Sequence, residues 1–199
     1  MKKLLLTLLV FCLSCEISTS KPVDNINPVY SVDNQKFENM SKAYFASGCF
    51  WCVETIYESL DGVEEVYSGY AGGTTVNPNY YQVMSGKTGH AEAIEIIYDS
   101  NKVSFDTLLK VFFDSHNPTT PNRQGPDYGT QYRSIAFYNN QDEKNKINNY
   151  ISFLSTSSIF GKEIITEVKK IDKFYYAEEY HQDYEKKNPY NPYVQNVSI

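Results

Sequence analysis

The sequence predicts an α+β fold, a two-layer ferredoxin-like plait with additional C-terminal elements. Three observations predict it. Short apolar runs read as strands, and two segments between them carry apolar residues at helical spacing. Their order is strand, helix, strand, strand, helix, strand, which is the plait order. The 199-residue chain is also 15% aromatic, which supplies enough large side chains for one core.

Each element has a local reason. Residues 42–46 form a short apolar run, and Ser47-Gly48 punctuates it. Phe50, Val53, Ile56, Tyr57 and Leu60 then recur at helical spacing, so residues 49–60 read as a helix. Asp61-Gly62 stops it. Residues 63–70 alternate and read as a strand. Residues 74–89 are rich in Asn, Gly and Pro and read as a loop. Residues 91–98 read as a strand, and residues 104–116 as a helix with Ser104 as its N-cap. A long polar loop follows over 117–131, then a strand over 134–138 and a helix over 142–155. A strand over 164–168 and a short final helix over 176–186 complete the domain.

The N-terminus reads as an address. Lys2 and Lys3 precede an apolar run from Leu4 to Leu13, broken by Thr7, with Ser14 before Cys15. Residues 1–14 therefore read as a signal peptide of lipoprotein type, with Cys15 as the lipidated residue. Cys12 departs from the usual pattern, and plain secretion is the alternative. The run is too short to span a bilayer, which takes ~20 apolar residues. Residues 15–40 lack sustained periodicity and read as a flexible tether, which leaves 41–199 as the domain. The expected location is the bacterial cell envelope, lipid-anchored, or otherwise periplasmic or secreted.

Charge excludes other classes. The formal net charge is −6, and only Arg123 and Arg133 among the cations are arginine. Such a chain is a poor nucleic-acid ligand, because phosphate attraction dominates that affinity. A mean hydropathy of −0.47 excludes a polytopic membrane protein.

Four cysteines are present, and only Cys49 and Cys52 lie beyond the signal and the lipidation position Cys15. Two thiols three residues apart form no structural framework; they point to redox chemistry or half a metal site. Zinc needs two further ligands, and His90, His116 and His181 stand alone in sequence. Cys49 falls at the first turn of a predicted helix, where amide dipoles favour a thiolate nucleophile. Phe50 and Trp51 are neighbours on a helix and point in different directions, so one can line an exposed apolar pocket; that both simply anchor the helix is the alternative. Glu92 opens an apolar strand, where a carboxyl's pKa rises and it can donate a proton; a solvated strand-edge Glu is the alternative. Asp127, Tyr132 and Arg133 lie in a polar, Gly-rich segment that reads as a site loop or a solvated one. His181 reads as structural.

Five segments, in order, carry a resemblance: Gly48-Cys-Phe-Trp-Cys-Val-Glu54, Gly69-Tyr-Ala-Gly-Gly73, Gly89-His-Ala-Glu92, Gly125-Pro-Asp-Tyr-Gly-Thr-Gln-Tyr-Arg-Ser134 and Tyr180-His-Gln-Asp-Tyr184. Together they resemble the peptide methionine sulfoxide reductase A family over roughly residues 42–190. The resemblance implies a plait-type α+β fold and reduction of the S epimer of methionine sulfoxide, free or in proteins. It implies Cys49 as the nucleophile that becomes a sulfenic acid, and Phe50 and Trp51 as the pocket for the substrate methyl group. Glu92 is implied as the acid that protonates the sulfoxide oxygen. Tyr80, Tyr132 and Asp127 are implied to hold that oxygen. No cofactor or metal is called for. A thioredoxin-like thiol reductant is the implied partner, and a monomer the implied state.

The sequence departs from relatives in two places. Some carry Gly where Cys52 stands and resolve the sulfenic acid with tail cysteines, whereas residues 188–199 contain none. Either Cys52 or an external thiol must resolve Cys49, and a helical turn must open for Cys52 to do so. Tyr176 stands where relatives usually carry Pro, which is expected to alter the start of the final helix. Two other activities fit parts of the pattern: a general dithiol oxidoreductase, and a lipoprotein that binds oxidised methionine without turnover.

Overall fold

A computed structural model describes residue 32 and residues 34–197. The expected signal peptide, Cys15 and most of the expected tether lie outside the described residues. The last stretch of that tether holds structure: a 3-10 turn at Asn34–Phe37 places Phe37, buried, against Tyr67 and Ile97. One aromatic residue in a polar segment supplies that anchor.

The fold is mixed α+β, built on a six-stranded sheet. In chain order the strands are β1 Ser41–Ser47, β2 Val63–Ala71, β3 Ala91–Tyr98, β4 Arg123–Gln124, β5 Asp127–Tyr128, β6 Ser134–Tyr138, β7 Glu167–Lys170 and β8 Phe174–Tyr176. The main sheet has the order β7-β6-β1-β3-β2-β8, and β4 and β5 form a separate two-stranded ribbon. Within the main sheet only the β6–β7 pair is parallel; the other four pairs are antiparallel. The helices are α1 Phe50–Glu58, α2 Tyr80–Met84, α3 Phe105–Asp114, α4 Gln141–Thr156, α5 Tyr184–Lys187 and α6 Pro192–Val197.

Period-two alternation sorts the side chains onto two faces. Ala43 and Phe45 of β1, Ile94 and Ile96 of β3, and Val66 and Tyr70 of β2 meet the helices. Against them pack Val53 and Tyr57 of α1, Leu108, Leu109 and Phe112 of α3, and Ile147 of α4. Tyr44, Ala46, Ala93 and Phe137 line the opposite face under Phe174. Strand β3 is buried along its whole length, as expected of a central strand covered on both sides.

Ser104 caps α3 as expected, accepting the Thr107 amide at 3.1 Å. Three expectations change. The expected loop over 74–89 contains α2, whose Asn79 and Gln82 form a capping box. The expected loop over 117–131 contains the β4–β5 ribbon. The final helix expected over 176–186 does not form: Phe174–Tyr176 pair with the β2 edge, and Asp183 takes a left-handed φ of 51°. A sheet partner and a left-handed residue leave only the four-residue α5 and a 3-10 turn at Glu179–His181. Tyr176 thus belongs to β8, and its hydroxyl donates to the buried Glu95 carboxylate at 2.8 Å.

Candidate active site

The site forms where β1 ends and α1 begins. Gly48 has a φ of +107°, and a Cβ there would lie 2.7 Å from the Gln124 side chain. That position requires glycine. The turn delivers Cys49 as the extended N-cap of α1, with φ −61° and ψ 121°. Phe50 and Trp51 follow in the first turn of the helix. Glu92 enters from β3 on the helix-covered face and accepts the Phe50 amide at 3.0 Å.

Loops bring the rest. Tyr80 opens α2, and its amide donates to the Glu178 carboxylate at 3.0 Å. Asp127 lies on the β4–β5 ribbon. Tyr132 ends a 3-10 turn beside Arg133, whose guanidinium donates to Glu167, Thr130 and Gly89. The Arg133 contact to the Gly89 carbonyl ties this loop to the start of β3. Tyr132 Oη donates to Met84 Sδ at 3.5 Å.

A cavity of about 360 Å³ is lined by Cys49, Phe50, Trp51, Tyr80, Glu92, Asp127, Tyr132, Tyr184, Asn191 and Tyr193. It therefore brings together all seven residues expected for nucleophile, acid, oxygen-holding and methyl-pocket roles. Cys52 is absent from this lining and faces an adjoining groove, which Cys49, Asp127 and Tyr193 also border.

Sequence reasoning missed Tyr184, Asn191 and Tyr193. Tyr184 stacks on Trp51 with ring centroids 3.7 Å apart and planes 9° from parallel. Tyr193 Oη donates to Asp127 Oδ2 at 2.6 Å. The recurrence of tyrosine in the tail was the available signal.

Burial sets the electrostatics. Glu92 is 2% exposed. Desolvation, then the nearby Cys49 and Asp127 charges, push its carboxyl well above the usual range, against the pull of the Phe50 amide. The shift favours the protonated, neutral carboxyl. Desolvation also pushes Tyr80 up to about 12 and raises Tyr132 further, so both phenols keep their protons. Cys49 departs from the expected lowering at a helix start. Its contact with the Cys52 thiol and its burial push the thiol up, while Tyr193 and the Trp51 amide pull down. Cys49 and Cys52 are not bonded to each other here. Among the described residues no cluster of His, Cys, Asp and Glu could hold a metal ion.

A half-buried cysteine, a buried carboxyl with a raised pKa and phenols converging beside aromatic walls define an oxidoreductase-type pocket. The family model Peptide methionine sulfoxide reductase matches residues 41–199. A curated relative, Peptide methionine sulfoxide reductase MsrA of Trichodesmium erythraeum, is 52% identical over 146 residues, 73% of this chain and 82% of the relative. Reduced Mxr1 of Saccharomyces cerevisiae superposes with a TM-score of 0.72 at 32% identity, covering 82% of this chain and 92% of that one. Mxr1 in complex with Trx2 shares the fold, with a TM-score of 0.52 at 23% identity over 73% of this chain and 84% of that one. The chain belongs to the peptide methionine sulfoxide reductase A family. Its enzyme class is peptide-methionine (S)-S-oxide reductase.

Proposed function

We propose that this chain reduces methionine-S-sulfoxide, free or in exported proteins, by thiol chemistry centred on Cys49. The observation that carries the reading is the convergence of Cys49, Glu92, Tyr80 and Tyr132 on one cavity beside Phe50 and Trp51. The sulfoxide methyl group would lie against the two aromatic rings. The oxygen would face Glu92, Tyr80 and Tyr132, with Asp127 beside them. A pocket with one apolar and one proton-donating side can distinguish two sulfoxide epimers.

A sulfoxide oxygen accepts displacement only as it is protonated, so a neutral Glu92 suits the step. Cys49 Sγ attacks the sulfoxide sulfur. The oxygen passes to Cys49 as a sulfenic acid, and methionine leaves with its sulfur reduced. Cys52 then attacks the sulfenic sulfur, a disulfide forms and water departs. The contact between the two thiols supports Cys52 in this role, and Cys49's place before the helix supports an approach without unwinding α1. A dithiol reductant of thioredoxin type restores both thiols; the Mxr1–Trx2 complex supports that partner class.

The strand order β6-β1-β3-β2, with α1 and α3 on one face, supports the ferredoxin-like plait as the core of the fold. The chain is proposed to act as a monomer in the cell envelope, anchored by lipid on Cys15. Palmitate labelling of the wild type but not of Cys15→Ser would support the anchor.

The deciding experiment supplies the purified chain with a dithiol and a peptide carrying resolved S and R sulfoxides. Loss of the S epimer alone, absent in Cys49→Ser, is expected. Turnover of neither epimer would overturn the reading.

A further inference from the structure

Exposed aromatic rings are scattered over most proteins and mean little one at a time. Tyr81 and Tyr180 differ because of where they stand. Tyr81 is 77% exposed and Tyr180 is 50% exposed. Tyr81 follows Tyr80, a wall of the substrate cavity, and the two rings meet edge to face with centroids 5.8 Å apart. Tyr180 lies on the 3-10 turn Glu179–His181, and Glu178, just before that turn, accepts the Tyr80 amide at 3.0 Å. Desolvation, then Glu178 and Tyr81, push the Tyr180 phenol up to about 12, so the two exposed phenols stand within electrostatic reach of each other. Tyr80, Tyr81 and Tyr180 together make an aromatic shelf that starts inside the cavity and ends in solvent.

The rim is where a client chain must lie. A methionine side chain that fills the cavity brings its own backbone to the mouth. One residue step along an extended chain covers about 3.3 Å. The 5.8 Å from Tyr80 to Tyr81 therefore spans about two residues. A side chain one or two positions from the sulfoxide falls on the shelf. Tyrosine offers it a large apolar face and a hydroxyl tip that stays wet, at little cost in rotamer entropy. Such a surface accepts apolar and aromatic side chains in many sequence contexts.

The reductant is a poorer occupant. It must reach Cys52, and the groove that Cys52 borders is lined by none of Tyr80, Tyr81 and Tyr180.

We propose that Tyr81 and Tyr180 form a docking shelf for the client polypeptide, on which an apolar or aromatic side chain one or two positions from the oxidised methionine packs. The inference rests on the reading of the cavity as a sulfoxide pocket. The two exposed rings touch no reacting atom, so they act on KM for peptides and leave kcat alone.

Matched S-sulfoxide peptides test it. One set carries Leu or Phe at the two positions on either side of the sulfoxide, and the other carries Gly there. Free methionine-S-sulfoxide has no flanks. With wild type, KM for the Leu and Phe peptides is expected about fivefold to tenfold below that for the Gly peptide. Tyr81→Ser combined with Tyr180→Ser should abolish that difference, with kcat and the KM for the Gly peptide and the free amino acid unchanged. Tyr81→Ser alone, at the more exposed position, should remove part of the difference. Tyr81→Phe keeps the ring and should keep the difference. Phe153→Ser removes an exposed ring outside the cavity lining and should change nothing. Equal KM for the two peptide sets with wild type, or a difference that survives in the folded double variant, would overturn the proposal. So would an equal rise in KM for free methionine-S-sulfoxide, which places the defect in the cavity. A raised KM for the thioredoxin-type reductant would overturn it too, by assigning the shelf to the reductant. Failure of wild type to turn over either epimer would instead remove the sulfoxide reading, while the shelf stays readable. Titration with the Leu peptide carrying reduced methionine should shift the Tyr81 and Tyr180 ring signals in NMR spectra, and unshifted signals would overturn the shelf.

Discussion

Glu92 and Phe50 are joined side chain to main chain: Glu92 Oε2 accepts the Phe50 amide at 3.0 Å. The bond ties the first turn of α1 to β3 and holds a carboxyl beside the residue that follows Cys49. It also marks which variant is informative. Glu92→Gln keeps an acceptor for that amide and removes the acid's proton. We expect kcat to fall roughly 100-fold or more with KM little changed. In the wild type, kcat should decline as pH rises through the elevated Glu92 pKa, since the proposed step uses the protonated form. The pH–rate profile of Glu92→Gln should lack that decline.

Cys49 and Cys52 separate in a single-turnover experiment. Cys52→Ser should release one equivalent of methionine and then stall with a thioredoxin-type reductant. Mass spectrometry after dimedone treatment should find the adduct on Cys49. Cys49→Ser should give neither methionine nor adduct.

Tyr193 reaches the site from α6, with its hydroxyl on Asp127 at 2.6 Å. It also acts on the Cys49 thiol, lowering it against the larger effects of Cys52 and burial. Tyr193→Phe removes that contribution. Cys49 should then alkylate more slowly with iodoacetamide at fixed pH, and the midpoint of its rate–pH curve should move upward.

Glu54 lies buried on α1, and desolvation pushes its carboxyl up to about 8. A carboxyl whose folded pKa exceeds its unfolded value binds more protons in the folded state. Its contribution therefore falls as pH rises from the ordinary carboxylate range through about 8. Glu54→Gln should flatten that part of the stability–pH curve. Measured by urea unfolding, the variant should gain on the wild type at pH 9 and approach it at pH 4.

The legible parts of the sequence share one property: their signal is local. Phe50, Val53 and Tyr57 recur along α1 and reach the core together. Ser104 sits next to the amide it caps. Cys49, Phe50 and Trp51 are neighbours in the chain, so the turn at Gly48 delivers them together. The illegible parts depend on distant partners. Phe174–Tyr176 become a strand because the β2 edge is open to them. Tyr193 reaches Asp127 from a tail in which Asn and Pro interrupt any period. Phe37 is buried by Tyr67 and Ile97, and nothing in the flanking residues announces them. The burial of Glu92 was legible only as one of two alternatives, because it depends on strands absent from its own segment.

Phe37 has a directional consequence. It seats on the face of the sheet opposite the helices, whereas Phe50 and Glu92 belong to the helix-covered face. Phe37 therefore closes the back of the sheet, away from the helices. Residues 34–37 and the cavity thus lie on opposite sides of one sheet, so the segment that closes the domain's back leaves the mouth free.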